Sequence, residues 1–420
     1  MKKFSGTSVY LFAEFSASLC LGMVFVSMSL YEATVAGLSP IQLVLVGTTL
    51  ELSAFLFEVP TGVVADVYSR RLSIIVGYFL MGVGLLVEGF LPAFLPIIIA
   101  QVIWGLGYTF TSGASQAWIT DEIGEESANR LFLRANRYVL FATLIGMALA
   151  FFIGGSSAAM PIRVGASGTL LISLILILIM PEFGFKPTPH ADRNTWVHMW
   201  HTFKEGLSEV RTRPRLGNIL WVGFFFGLYS EGFDRLWVKH LIDTFELPLI
   251  IGQTQVGFFA IMRISAMLLV ILATRFLEKR WDTSNPQLIG RAMVIITAGI
   301  SAGLVLFALS PILSLAIAVY CMISVFRNVG IPLYQAWVNQ KLDSSTRATV
   351  FSISSQVDAF GQIGGGPLSA FVAGRFSVIA ALILSGLLLL PALRYIQRTN
   401  SLTEQTEPIE SEAAGRLDGN

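Results

Sequence analysis

Twelve apolar stretches follow one another along this chain, near residues 8–34, 41–63, 72–91, 95–120, 129–154, 160–180, 216–243, 252–274, 288–308, 312–338, 347–373 and 376–396. Each is close to or above the roughly 20 residues that an α-helix needs to cross the hydrocarbon core of a bilayer. The runs are continuous rather than alternating, which excludes a closed β-barrel, the other structure able to span lipid. Composition agrees: 54% of the residues are hydrophobic, 13% are charged and mean hydropathy is +0.70. A soluble chain this apolar would have no polar surface to offer water. The expected fold is all-α, with 12 transmembrane helices in two six-helix pseudo-symmetric bundles.

Several function classes drop out. A net charge of +1 gives no basic field for nucleic acid. Cys20 and Cys321 both sit inside apolar runs, so neither a disulfide framework nor a zinc site is expected. His190, His198, His201 and His240 show no metal-ligand spacing. No nucleophile–base arrangement or phosphate loop is present, so an enzyme is not expected, and neither is a cofactor or a metal. The run after Lys2 and Lys3 contains Glu14 and leads into further membrane segments, so it reads as a first span rather than a signal peptide.

The longest polar stretch between spans, 181–215, divides the chain into bundles at 1–180 and 216–396. Within it Trp196, Trp200, Phe203 and Leu207 recur at helical spacing. This reads as an amphipathic helix, either on the inner membrane surface or docked on helix ends. The tail 397–420 is acidic and is expected to be disordered. Lys2, Lys3, Arg70, Arg71, Arg130, Arg134, Arg137, Arg275, Lys279, Arg280, Arg291, Lys341, Arg347, Arg394 and Arg398 fall on one side of the twelve spans, with most of the connector. The opposite loops hold little beyond Arg163, Lys239 and Arg375. That asymmetry places both termini in the cytoplasm.

The halves resemble each other. Gln116-Ala117-Trp118 recurs as Gln335-Ala336-Trp337, and at the same offset Phe132 matches Phe351, Phe141 matches Phe360 and Gly146 matches Gly365. Leu149, Phe152 and Gly155 continue the match as Leu368, Phe371 and Gly374. Span four therefore answers to span ten, and span five to span eleven. Two parallel six-span repeats are a transporter architecture, with the solute site between them near mid-membrane.

The loop after span two reads Gly62-Val-Val-Ala-Asp66-Val-Tyr-Ser69-Arg70-Arg71. Gly62 permits a tight turn or a close helix approach. Asp66 is placed to accept from the next helix's first amides or to pair with Arg70. With Asp121, Arg134 and Arg137 at the same rim, these residues form a candidate cytoplasmic latch. The loop resembles the signature between spans two and three of the major facilitator superfamily, G-x-x-x-D-x-x-x-R-[RK], with Ser69 where Gly is usual. Two further signatures are partial. The fourth-span R-x-x-x-G-x-G reads Gln101-Val-Ile-Trp-Gly105-Leu-Gly107, so the Arg that many proton-coupled members carry is absent. The fifth-span antiporter pattern keeps Gly146, Gly154 and Gly155 but has Ala150-Phe151 at its centre.

A charge at the bilayer centre costs roughly 2.5–3.5 kcal/mol on insertion scales, so each one needs a partner, a cavity or a task. Glu51 and Glu58 in span two are seven residues apart, which returns them to one helix face about 10 Å apart along the axis. Pro60 follows. Glu14 lies in the inner part of span one and Glu88 towards the outer end of span three. Two readings stand for these acids: a proton or cation site, or a neutral hydrogen-bonded strut. In the second half, Glu231, Asp234 and Arg235 stand at the i, i+3 and i+4 spacing of an intrahelical ion pair. Arg263, Arg327 and Asp358 fall near mid-depth, and Arg327 with Asp358 is a candidate pair across helices. Trp104, Tyr108, Trp118, Tyr229, Tyr334 and Trp337 lie on spans expected to border the cavity.

Glu58-x-Pro60 with Asp66, Arg70 and Arg71, preceded by Glu51 and followed by Glu88, resembles the clostridial type of tetracycline-efflux protein. That resemblance implies a monomeric cell-membrane antiporter exporting amphipathic small molecules or drugs, tetracycline among them, in exchange for protons. Uptake of a metabolite or siderophore, or lipid flipping, would use the same fold.

Overall fold

Backbone N–H and C=O groups inside lipid have no water to bond, so a spanning segment must satisfy them itself, as a helix does. The computed structural model describes residues 4–187, 204, 214–279, 285–339 and 344–417. Its helices are α1 (Gly6–Thr34), α2 (Pro40–Val67), α3 (Arg70–Phe90), α4 (Phe94–Thr111), α5 (Ala114–Ile123), α6 (Glu125–Ile153) and α7 (Ala159–Ile179). They continue as α8 (Pro214–Thr244), α9 (Val256–Glu278), α10 (Pro286–Ala308), α11 (Leu313–Asn339), α12 (Ser344–Arg375) and α13 (Val378–Leu417). No strand occurs among the described residues. The amphipathic helix expected at 196–207 lies outside them, apart from Lys204.

Local chemistry sets the helix starts. Ser39 and Gln42 form a reciprocal capping box ahead of Pro40, with Ser39 N–H donating to Gln42 Oε1 at 2.9 Å. Ser69, which stands at the family's usual glycine, caps α3 by accepting from Leu72 N–H at 2.9 Å. Asn285 accepts from the amides of Gln287 and Leu288 at 2.9 and 3.2 Å.

Ten of these segments, counting α4 and α5 as the single stretch Phe94–Ile123, are long and apolar enough to cross a membrane. The other two of the twelve are α8, which carries Glu231, Asp234, Arg235 and Lys239, and α12, which is rich in Ser, Gln and Gly and carries Asp358. Three expectations change. Span four is not one continuous helix: Gly113 adopts φ +68°, a left-handed conformation that stops α4 and restarts the chain as α5. Gly62 makes neither a turn nor a close approach. It sits within α2, and a Cβ there would meet nothing within 4 Å. The tail after 396, read as disordered, continues α13 to Leu417, because Leu, Glu, Gln and Ala keep helix propensity without an apolar face.

The chain divides into two compact units, residues 1–195 with 235–264, and residues 196–234 with 265–420. The division therefore passes through α8 and α9 as well as the connector. In unit one, α1 lies against α6 and α7, α3 against α4 and α7, and α2 against α4. In unit two, α10 packs on α11 and α13, and α12 on α13.

The duplicated glycines do the same work in both units. A Cβ on Gly146 of α6 would collide with the Leu19 carbonyl of α1, and one on Gly365 of α12 with the Leu228 carbonyl of α8. Lipid offers no hydrophobic drive between helices, so small residues that let backbones touch supply the packing. Trp118 and Trp337, the other repeat marker, are 2% and 1% exposed. Gly146→Val and Gly365→Val are each expected to cost roughly 1–3 kcal/mol by overpacking, read as a lower melting temperature in detergent. Gly62→Ala should leave the melt unchanged.

Candidate functional site

In unit one, Glu51 and Glu58 share one face of α2, as their spacing requires. Ser112, at the break between α4 and α5, donates its hydroxyl to Glu58 Oε1 at 3.2 Å. Tyr108 lies within electrostatic reach of both acids. Its ring stacks on Trp104 at 6.0 Å, and Phe25 meets Trp104 edge-on at 6.1 Å. Tyr108 is 46% exposed and Phe25 37% exposed. The Trp104 indole N–H is buried without a hydrogen-bond partner. Glu58 is exposed too. A carboxylate facing lipid would be costly, so the exposed Glu58 calls for a polar surrounding on this face. Glu14 is held apart from it, between the buried rings of Tyr10 and Tyr78.

A second acidic group was only half visible in the sequence. Glu88 does not sit at a wet interface: it is 0% exposed. Its Oε2 accepts from Gln101 Nε2 at 2.8 Å. Facing it, within hydrogen-bond reach, is the carboxyl of Glu32, which is 1% exposed. One oxygen of each acid, Glu32 Oε1 and Glu88 Oε1, lacks a hydrogen-bond partner. The Arg235 guanidinium of α8 is the cation that faces both acids. Tyr31 donates its hydroxyl to the Glu88 carbonyl at 2.6 Å, and Arg163 Nε donates to the Gly89 carbonyl at 2.8 Å. The family's arginine position is thus filled by an amide that bonds an acid, while the positive charge arrives from another helix. Glu32 escaped the sequence reading because it ends an apolar run. One signal existed: it lies 18 residues after Glu14, about five turns at 3.6 residues per turn and so on the same face.

At the rim, Arg70 forms the centre of the expected latch. Its guanidinium pairs with Asp66 at 3.5 Å, contacts Asp121, and donates to the Ala117 carbonyl at 2.9 Å. At the start of α3 the Leu72 amide goes to Ser69, and Glu182 accepts from Arg71 N–H at 2.9 Å and from the Ser69 hydroxyl at 2.7 Å. An acid at a helix N-terminus also meets its partial positive charge. Arg71 extends instead to the Ile177 carbonyl at 2.6 Å. Glu122 accepts from the amides of Phe183 and Gly184, and Trp118 Nε1 donates to the Pro181 carbonyl at 2.8 Å. Arg134 and Arg137 are exposed and make no ion pair among the described residues. The latch therefore joins the ends of α2, α3 and α5 with the chain after α7, and α6 contributes nothing to it.

Unit two carries a different arrangement. Arg327 does not pair with Asp358. Its two terminal nitrogens grip the two oxygens of Asp234, one of them at 2.7 Å. Asp234 is drawn across to α11, and its neighbour Arg235 points about 100° away from it on α8. Arg327 also lies over the rings of Tyr229 and Phe233, at 5.8 and 5.6 Å. Beside it opens a cavity of about 280 Å³ lined by Arg327, Tyr334, Gln335, Phe226, Phe351 and Asp358. Asp358 Oδ2 accepts from Gln362 at 2.7 Å. The Tyr334 hydroxyl donates to the Ile219 carbonyl at 3.2 Å and meets Ser354 Oγ at 3.0 Å. Arg263, on α9 in unit one, lies over the Trp237 ring at 5.1 Å.

Twelve membrane-length helices with duplicated halves and charged side chains set among them are the architecture of a membrane transporter. The chain belongs to the Major Facilitator Superfamily, whose family model matches residues 10–339. It is 26% identical over 363 residues to YxaM, an uncharacterised MFS-type transporter of Bacillus subtilis (strain 168), covering 84% of this chain and 86% of that one. The fold resembles the crystal structure of the nucleoside transporter NupG, with a TM-score of 0.72, 13% identity, and 95% of this chain and 99% of that chain covered. It also resembles an inward-facing bacterial homologue of the human lysosomal transporter Spinster, with a TM-score of 0.75, 13% identity, and 94% and 97% coverage. Transporters of this family bind small-molecule substrates.

Arg327→Gln alone strands Asp234, and Asp234→Asn alone strands Arg327. Each is expected to cost about 1 kcal/mol or less, because the two side chains are 27% and 42% exposed and solvent screens the pair. The double variant should recover most of the loss in a detergent melt.

Proposed function

We propose that this chain is a proton-coupled exporter of amphipathic small molecules, planar drugs of the tetracycline kind among them, working as a monomer in the cell membrane with both termini in the cytoplasm. The observation that carries the coupling is the buried pair Glu32 and Glu88. Two carboxyls 1% and 0% exposed lie within hydrogen-bond reach of each other, with Arg235 acting on both. Two like charges this close in a dry site repel, and one proton shared between them removes that repulsion. Losing that proton leaves the pair holding Arg235 more strongly, so protonation is tied to the contact between α8 and the ends of α1 and α3. Tyr31 and Arg163 are the other titratable groups nearby.

Glu51 and Glu58 are the acids the solute meets. They stand on an open face beside Tyr108, Trp104 and Phe25, where a planar amphiphile finds ring surfaces and a carboxylate together. Gln101 takes no part in carrying charge and orients Glu88 instead. Positive-inside bias in the loops supports the cytoplasmic termini.

A susceptibility panel in a pump-deficient host, with and without a protonophore, tests this reading. The wild type is expected to confer resistance that the protonophore removes. Glu88→Gln and Glu32→Gln should abolish the protonophore-sensitive part, and Glu51→Gln and Glu58→Gln should lower export of the drug itself, with all four variants expressed normally. Full protonophore-sensitive resistance in all four, or inward accumulation of the drug, contradicts it.

A further inference from the structure

The charges around the unit-two cavity do not cancel. Arg327 is the cation that lines it, and both of its terminal nitrogens are engaged by Asp234. Its faces are taken as well, by Tyr229 and Phe233. A solute carboxylate or phosphate arriving here would have to displace a two-pronged ion pair to find a positive charge. Asp358 is in the opposite position. It projects into the same cavity, and Gln362, a neutral amide, holds one of its oxygens. It makes no ion pair with Arg327 or with any other cation among the described residues. Counting Arg327, Asp234 and Asp358 as one positive and two negative charges, the cavity keeps one negative charge in surplus.

Its walls suit the same kind of guest. Phe226, Phe351 and Tyr334 present aromatic surface, and the Tyr334 hydroxyl is engaged by the Ile219 carbonyl and by Ser354. Ring faces attract cations through their quadrupole. A volume of about 280 Å³ admits a single aromatic ring with a substituted ammonium group. One carboxylate among rings is a poor metal site, since hard metal ions need several oxygens. From this we infer that the unit-two cavity binds an organic cation, a small aromatic or alkyl ammonium ion, with Asp358 as its counter-ion. The inference rests on the reading of the chain as a transporter of amphipathic small molecules and adds the sign of the solute's charge.

The test is equilibrium binding to the purified full chain in detergent, with no ion gradient, by isothermal titration. The probes are phenyltrimethylammonium and benzenesulfonate, two aromatic ions of similar size and opposite charge. Phenyltrimethylammonium should bind saturably and about tenfold or more tighter than benzenesulfonate, since like charges in a partly dry site repel strongly. Asp358→Asn should erase that preference, and Asp358→Glu should keep it. Equal affinity for the two ions, a preference for benzenesulfonate, or a cation preference surviving in Asp358→Asn overturns the inference. If Asp358→Asn does not fold, the wild-type comparison and Asp358→Glu still decide it. Because no gradient is present, a failure of proton-driven export in cells would leave this result standing, and a lack of cation preference would leave the transport reading standing.

Discussion

A charge inside a bilayer must find a partner, a cavity or a proton, and the way each charge in this chain is met organises the rest of the molecule. Arg327 and Asp234 meet each other between α8 and α11, and their bidentate geometry fixes the approach of those two helices. Glu58 meets a serine hydroxyl at a break in the fourth span. Glu32 and Glu88 meet each other, with the Arg235 guanidinium acting on both. These are three physically different solutions.

The same economy explains where the backbone is irregular. Gly113 breaks the fourth span through its left-handed φ, and the break presents Ser112 to Glu58. Elsewhere the helices are kept straight and close by glycines whose positions repeat between the halves, Gly146 and Gly365 being the clearest pair. Packing is therefore duplicated while the polar groups are not. Unit one carries the acids of α2 and the buried Glu32 and Glu88, and unit two carries the Arg327–Asp234 pair and Asp358 at a cavity.

Much of the scaffold was legible in the sequence, because a membrane span announces itself by length and apolarity and a repeat by rare residues such as Trp118 and Trp337. The shared face of Glu51 and Glu58 was legible for the same reason, helical periodicity. Partners across helices were not. Spacing within α8 grouped Asp234 with Glu231 and Arg235 on one turn, but its partner Arg327 lies 93 residues away. Glu182 supports α3 from 111 residues further on, and nothing in its own neighbourhood signals that. Glu88 looked interfacial by counting, yet it is covered by side chains from other helices. Gln101 looked like a loss because an arginine was expected there. Its role as a hydrogen-bond donor to Glu88 depends on α3 and α4 lying together.

The central claim is that the Glu32–Glu88 pair holds one proton in the resting protein. Infrared spectroscopy of the purified chain in lipid, taken at neutral pH, reads the carbonyl stretch of protonated carboxyl groups directly. The account predicts such a band in the wild type, diminished in the double variant Glu32→Gln, Glu88→Gln by the share of one acid. A wild-type and double-variant difference spectrum with no protonated-carboxyl signal would contradict it.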